Sequence, residues 1–410
     1  MTTSLVSLVL VGTLLALIQG LAALPWIWGL DRRGFTRRLR DPMSWLTFVA
    51  GIAAAGVGLG WLMSQQRIEA TLSSYGYRYG SLLHLQLAVD FLVLAPQAML
   101  LVWPKAGAVM LATFRESWRQ PLFWLVAAIS IFLIAFSLVI PYFTFGEDFK
   151  MMKQLGFDVI MLASLLFGLL AASISINDEI EGRMAITVIS KPINRRQFLI
   201  GKYLGVLLAC WAMILLLGWV FTWALYIKPH FDQLDDINDP MPAEMIALLT
   251  PDAPNKLLPT TEGNAFASGA VRWFGETLSH HLGLMLSFGQ VMVLLAICTA
   301  LATRMQFVVN LVICAVIFLI GHLAPVLVMS TSGTAQQSDA LKLVNFIAQL
   351  INAVFPGLEY FDMGPAIIRD NPLDIKDFAR YVLTVSGYAV IYSAIAIIVG
   401  LLLFEDRDLA

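Results

Sequence analysis

Long stretches without a single charge constrain this chain more than any other feature. Only 13% of its 410 residues are Asp, Glu, Lys or Arg, so an even scatter would put one at about every eighth position. Instead, charge is missing from the start to Asp31, and then between Asp41 and Arg67, Arg119 and Glu147, Asp158 and Asp178, and Lys202 and Lys228. It is missing again between Glu276 and Arg304, Arg304 and Asp339, and Arg380 and Glu405. A helix crossing the hydrocarbon layer needs about 20 apolar residues at 1.5 Å each, and each gap holds one. A ninth fits between Arg78 and Lys105, interrupted only by Asp90. Hydrophobic residues reach 59%, against about 45–50% in soluble domains. A water-soluble interior cannot hide that much apolar surface. The alternating ten-residue strands of a membrane barrel are absent.

The expected fold class is therefore all-α: a polytopic integral membrane helix bundle of about nine transmembrane helices. They are placed at Ser4–Trp26, Trp45–Met63, Leu82–Trp103, Leu122–Phe143, Val159–Ile176, Leu204–Ile227, Leu278–Ala302, Phe307–Met329 and Tyr381–Phe404. Tryptophans such as Trp26, Trp28, Trp45, Trp61 and Trp103 fall near span ends, where amphipathic rings favour the headgroup layer. The first helix has no basic segment before it, so it reads as a retained span and not as a cleaved signal peptide.

Lys and Arg set the expected orientation. The short loops 31–43 and 177–203 carry five each and 104–121 carries three, whereas the longer loops on the other side share eleven over much more sequence. The dense loops are expected in the cytoplasm, with the N-terminus outside, the C-terminus inside and the chain in a bacterial cytoplasmic (inner) membrane. A net charge of −2 argues against a nucleic-acid-coating protein. Cys210, Cys298 and Cys314 lie within apolar runs without metal-ligand spacing.

Residues 105–120, ending in Phe-Arg-Glu-Ser-Trp-Arg-Gln, read as an amphipathic helix on the membrane surface, and Pro121 starts the fourth span. This marks a boundary between an N-terminal part, 1–104, with three helices, and a second part, 105–410, with six. The loop 228–277 is acidic and Pro-rich, and 330–380 contains an amphipathic stretch, Leu341–Phe355, too short to span. Both are expected outside the cytoplasm. Asp90, the one charge well inside a span, costs about 2.5–3.5 kcal/mol to insert. It is a possible intramembrane polar site, or a pairing group for His84. His322, Asn310 and Gln290 suit interhelical hydrogen bonds or a polar path. No metal site, catalytic group or cofactor-binding motif is evident.

The densest chemistry lies in loop 177–203. Acidic Asp178, Glu179 and Glu181 lead into a short amphipathic segment that Pro192 stops by removing an amide donor. Asn194 then caps a new helix beginning Arg195-Arg196. The expected product is a short helix held parallel to the membrane and offered to a soluble partner.

This loop resembles the signature of the ABC-2 type (type-2 ABC exporter) permease family: an acidic pair, a small residue, an apolar helix, Pro, Arg and Gly-Lys. The matching positions are Glu179, Glu181, Gly182, Pro192, Arg195, Arg196, Gly201 and Lys202. The entry helix and Pro356…Phe361-Asp362 are also similar, so the likeness covers 105–410 as a six-helix permease core. Arg183 departs from it, since many members carry Thr there. The resemblance implies a permease subunit of an ATP-binding-cassette exporter, coupled through Glu179, Glu181, Gly182, Arg183, Pro192, Arg195, Arg196 and Lys202, with the two glutamates held by Arg183, Arg195 or Arg196. GxxxxGK[ST] is absent, so the implied ATPase, with its ATP and Mg, is a separate subunit, and a second permease subunit, identical or related, completes the machine. The alternatives are a non-transporting homologue acting as an anchor or assembly subunit, an ion-coupled secondary transporter and a membrane enzyme.

Overall fold

The computed structural model describes residues 2–66, 68–140, 148–181, 193–231, 258, 260–332, 339–364 and 374–405. Among the described residues the chain forms twelve α-helices and one short 3₁₀ helix, with no strand. In order they are α1 (Thr2–Leu30), α2 (Arg32–Leu39), α3 (Pro42–Gln65), α4 (Glu69–Val102), α5 (Pro104–Arg119) and α6 (Pro121–Phe136). Then follow α7 (Asp148–Glu181), α8 (Arg195–Phe231), α9 (Thr261–Ala302), α10 (Phe307–Ser332), α11 (Asp339–Val354), the 3₁₀ turn Leu358–Phe361 and α12 (Ile375–Glu405).

Every charge-free gap holds a helix. By length and apolarity α1, α3, α4, α7, α8, α9 and α12 are each able to cross a membrane, seven in all, and α5 with α6 makes an eighth if the bent pair is one span. α10 is apolar over Phe307–Leu323. The chain is an all-helical, multi-pass membrane protein. Proline opens α3, α5 and α6 at their first positions, where its missing amide costs nothing. α5 and α6 meet at Gln120, whose extended backbone bends the pair by 57°.

Several helices run past the expected spans, among them α7 from Asp148 and α8 from Arg195, and three boundaries differ in kind. The fourth span is expected to reach Phe143, but α6 stops at Phe136 and Ser137 caps it by donating to the Ile134 carbonyl. The stretches 69–81 and 261–277, read as loop, are helical extensions of α4 and α9. Several of their polar residues pack against one another. Tyr77 stands edge-on to Trp273 at 5.0 Å and its hydroxyl donates to Glu276, which Arg272 holds at 2.8 Å. Hydropathy registers those polar groups as loop because it cannot see them satisfy one another.

The chain divides into two compact units, one made of Met1–Ala98 with Asp239–His280 and one of Met99–Asn238 with His281–Ala410. In the first, α1 packs along α3, and Leu8, Val11, Leu15, Met63, Leu72 and Phe266 form its buried centre. In the second, α8 lies against α5, α6 and α7, around a core that includes Phe123, Phe167, Met213, Phe221 and Leu294.

Candidate functional site: the base of the 177–203 loop

The two helices that enter and leave the loop carry the site. α7 runs on to Glu181 because Ile176-Asn177-Asp178-Glu179 offers no breaker. α8 starts where Asn194 accepts from the Phe198 amide at 3.0 Å and donates its own amide to the Gln197 side chain at 3.1 Å. The first is the opening bond of the helix, and the second satisfies the Asn194 amide, which has no helical partner.

Two turns into α8, Lys202 is the centre of a buried polar knot. Its side chain is only 5% exposed. The ammonium donates to the Ser175 hydroxyl at 2.8 Å and pairs with the carboxylate of Glu179, both one face of α7. Glu116, from the last turn of α5, approaches at 3.9 Å, and the Phe198 ring lies 5.8 Å from the charge. One cation thus ties together the entry helix and both stalks of the loop. A charge this buried is tolerable only because carboxylates and a hydroxyl replace its water.

Arg195 and Arg196 turn elsewhere. The Arg195 guanidinium donates to the backbone carbonyls of Phe404 at 2.6 Å and Glu405 at 2.8 Å, and Arg196 pairs with the Glu405 carboxylate at 3.2 Å. Arg304, in the turn between α9 and α10, donates to the Leu403 carbonyl at 2.7 Å. Three arginines therefore occupy the end of α12, where carbonyls lack helical partners and the dipole is negative. Asn177, with its amide turned to satisfy both ends, donates to the Ala302 carbonyl at 3.0 Å and accepts from the Phe307 amide at 2.9 Å. The ends of α7, α8, α9, α10 and α12 share one polar floor.

The pairing expected for Glu179 with an arginine is replaced by Lys202, which the helix rise places at the depth of Ser175. Gly182, Arg183 and Pro192, with the side chain of Glu181, lie outside the described residues. Glu116, Ser175, Asn177, Arg304 and Glu405 were not singled out from sequence. Only the Ser175–Glu179 spacing of four residues offered a signal.

Asp90 lies in the other unit, on α4, 6% exposed, facing the backbone amide of Trp26, with its Oδ1 unpartnered among the described residues. His84 rests instead against Trp273, ring centres 6.0 Å apart. Asn310 bridges helices, donating to Ser173 at 3.0 Å and to the Cys298 carbonyl at 3.1 Å, and Gln290 meets His322 at 3.3 Å. Among the described residues no group of His, Cys, Asp or Glu is placed to hold a metal ion.

A family model described as ABC-2 family transporter protein matches residues 117–249, about a third of the chain. The match runs from the end of α5 through α6, α7 and α8 and encloses the whole loop. No curated protein and no solved structure matches the chain. Over residues 117–249 this all-helical membrane protein is therefore similar to the ABC-2 family transporter proteins.

Proposed function

We propose that the chain is the transmembrane permease subunit of an ATP-driven exporter, powered by a separate P-loop ATPase subunit that seats on the 177–203 loop. The observation that carries this reading is the Lys202 knot. It lies at the base of the loop, with Ser175, Glu179 and Lys202 inside the matched family segment, and joins the loop's two stalks to the entry helix. A soluble subunit pressing on the loop displaces α7 and α8 together, and Glu116 carries that displacement to α5. The arginine contacts pass it to the end of α12.

In this reading Glu179, Glu181, Gly182, Arg183, Pro192, Arg195, Arg196 and Lys202 serve coupling, and the chain itself hydrolyses nothing. Residues 105–410 act as the permease part, the three helices before them as an extension, and a second permease subunit, identical or related, faces the first. The dense basic loops lie in the cytoplasm of a bacterial cell, with the N-terminus outside.

Mild purification of the intact protein from its own membranes tests this. A P-loop ATPase is expected to co-purify, with Glu179→Ala and Lys202→Ala weakening its hold or uncoupling its ATP turnover from the cellular function. An ATPase-free preparation, together with full cellular function in both variants, overturns it.

A further inference from the structure

The coupling reading makes no use of α2 or of the pocket beside it. α2, Arg-Arg-Gly-Phe-Thr-Arg-Arg-Leu, joins two helices long and apolar enough to cross a membrane. At about 100° per residue, Phe35 and Leu39 share one side, Arg33 and Arg37 share the opposite side, and Arg38 falls between them. A cavity of about 300 Å³ opens on the apolar side, lined by Leu24, Ile27, Phe35, Phe48, Thr47 and Arg38. Trp45 closes over it, its indole N–H donating to the Leu39 carbonyl at 2.9 Å, with 48% of the residue still exposed.

The charges around this cavity are not spent on the protein. Among the described residues, no hydrogen bond or ion pair engages the side chains of Arg33, Arg37, Arg38 or Arg40; Arg32 alone is held, 4.2 Å above the Trp28 ring and 2.8 Å from Gln97. The adjacent acids are committed to helix starts. Asp31 accepts from the Gly34 amide at 2.9 Å, and Asp41 accepts from the Ser44 hydroxyl at 2.9 Å and the Met43 amide at 3.2 Å. Those bonds hold the Asp41 carboxyl below its ordinary range, so it stays a cap and not a proton reservoir.

An arginine with no partner beside an apolar cavity, at the end of two lipid-facing helices, matches one kind of molecule. It has an anionic head and an aliphatic tail, and it arrives sideways through the bilayer. A free anion has no use for the Leu24–Phe48 wall, and a neutral lipid has none for Arg38. We propose that this pocket binds an anionic phospholipid, its phosphate on Arg38 with Arg37 and Arg40 adding field, and one acyl chain against Leu24, Ile27, Phe35 and Phe48. Basic clusters at the end of a membrane helix attract anionic lipid at about 1 kcal/mol per charge, or about fivefold in affinity. The cavity adds the selectivity that charge alone lacks.

The test is lipid titration of the intact protein in detergent, followed by native mass spectrometry. Phosphatidylglycerol should be retained at least about fivefold more strongly than phosphatidylcholine. Arg38→Glu should abolish that preference, and Thr47→Phe, which fills the cavity, should reduce it while leaving the charge intact. Arg33→Glu makes the same charge change on the far side of α2 and should cost less than half as much. Far-UV circular dichroism checks folding, and Arg38→Gln replaces Arg38→Glu if the latter fails to fold. Equal retention of both lipids overturns the proposal. So does an equal loss from Arg33→Glu and Arg38→Glu, or displacement of the lipid by inorganic phosphate at the same concentration.

Discussion

At the scale of single residues, Lys202 explains why the loop's charges are arranged as they are. At 1.5 Å per residue, Lys202 sits about 10 Å along α8 from Arg195, level with Ser175 on α7, while Arg195 and Arg196 stay at the mouth, level with the end of α12. Removing the cation leaves Glu179 partly buried beside an apolar wall. Lys202→Met is expected to cost about 3 kcal/mol, read as a lowered thermal midpoint in detergent, and Glu179→Gln in the same chain should recover most of it. If the double variant is no more stable than Lys202→Met, the pair is not what holds the knot. That both positions belong to the densest cluster of charge was legible in the sequence, because charge is scarce elsewhere. Their partnership was not, since 23 residues and a loop separate them and only the packing of α7 on α8 sets their depth.

At the scale of elements, α5 is held to α8 by close backbone approach. A Cβ on Gly205 would stand 2.7 Å from the Met110 carbonyl oxygen and 2.6 Å from Thr113 Cβ, nearer than real side chains come. Gly205→Ala therefore pushes α5 off α8, at about 1–3 kcal/mol. A spin-label distance from α5 to α8 should lengthen, and an unchanged distance would contradict the packing argument. The amphipathic character of α5 was readable from its mixed apolar and charged residues. The face it buries, Ala106, Gly107, Met110, Thr113 and Ser117, was not, because small residues carry little hydropathic signal. The end of α12 makes a second case. Arg304 donates to the Leu403 carbonyl, and a charged hydrogen bond is worth about 1.5–3 kcal/mol. Arg304→Ala should speed amide exchange in the last turn of α12 about tenfold or more, as followed by hydrogen–deuterium exchange, with the middle of that helix unaffected.

At the scale of the whole molecule, eight charge-free gaps, a ninth run broken only by Asp90, and the loop arginines predict nine crossings, with the N-terminus outside and the C-terminus inside. A green fluorescent protein fused after α12 should fluoresce, and alkaline phosphatase fused within 64–81 or 228–257 should be active; the reverse pattern would invert the topology. That each charge-free gap holds a helix, and roughly where, follows from sequence alone, whereas seven helices, or eight with α5 and α6 as one span, are long and apolar enough to cross, against the nine expected. Each must satisfy its own backbone within lipid, so an uninterrupted apolar run of about 20 residues has only one outcome. The family resemblance of loop 177–203 was equally local, resting on a short order of acids, proline, arginines and lysine. Tertiary structure alone decided which charge meets which: that Lys202 takes Ser175, Glu179 and Glu116, that the arginines close on α12, and that Arg38 stands beside an apolar cavity. The reason is physical. Hydropathy is a property of each residue against its solvent, whereas a buried charge is stable only through partners that distant segments bring to the same depth.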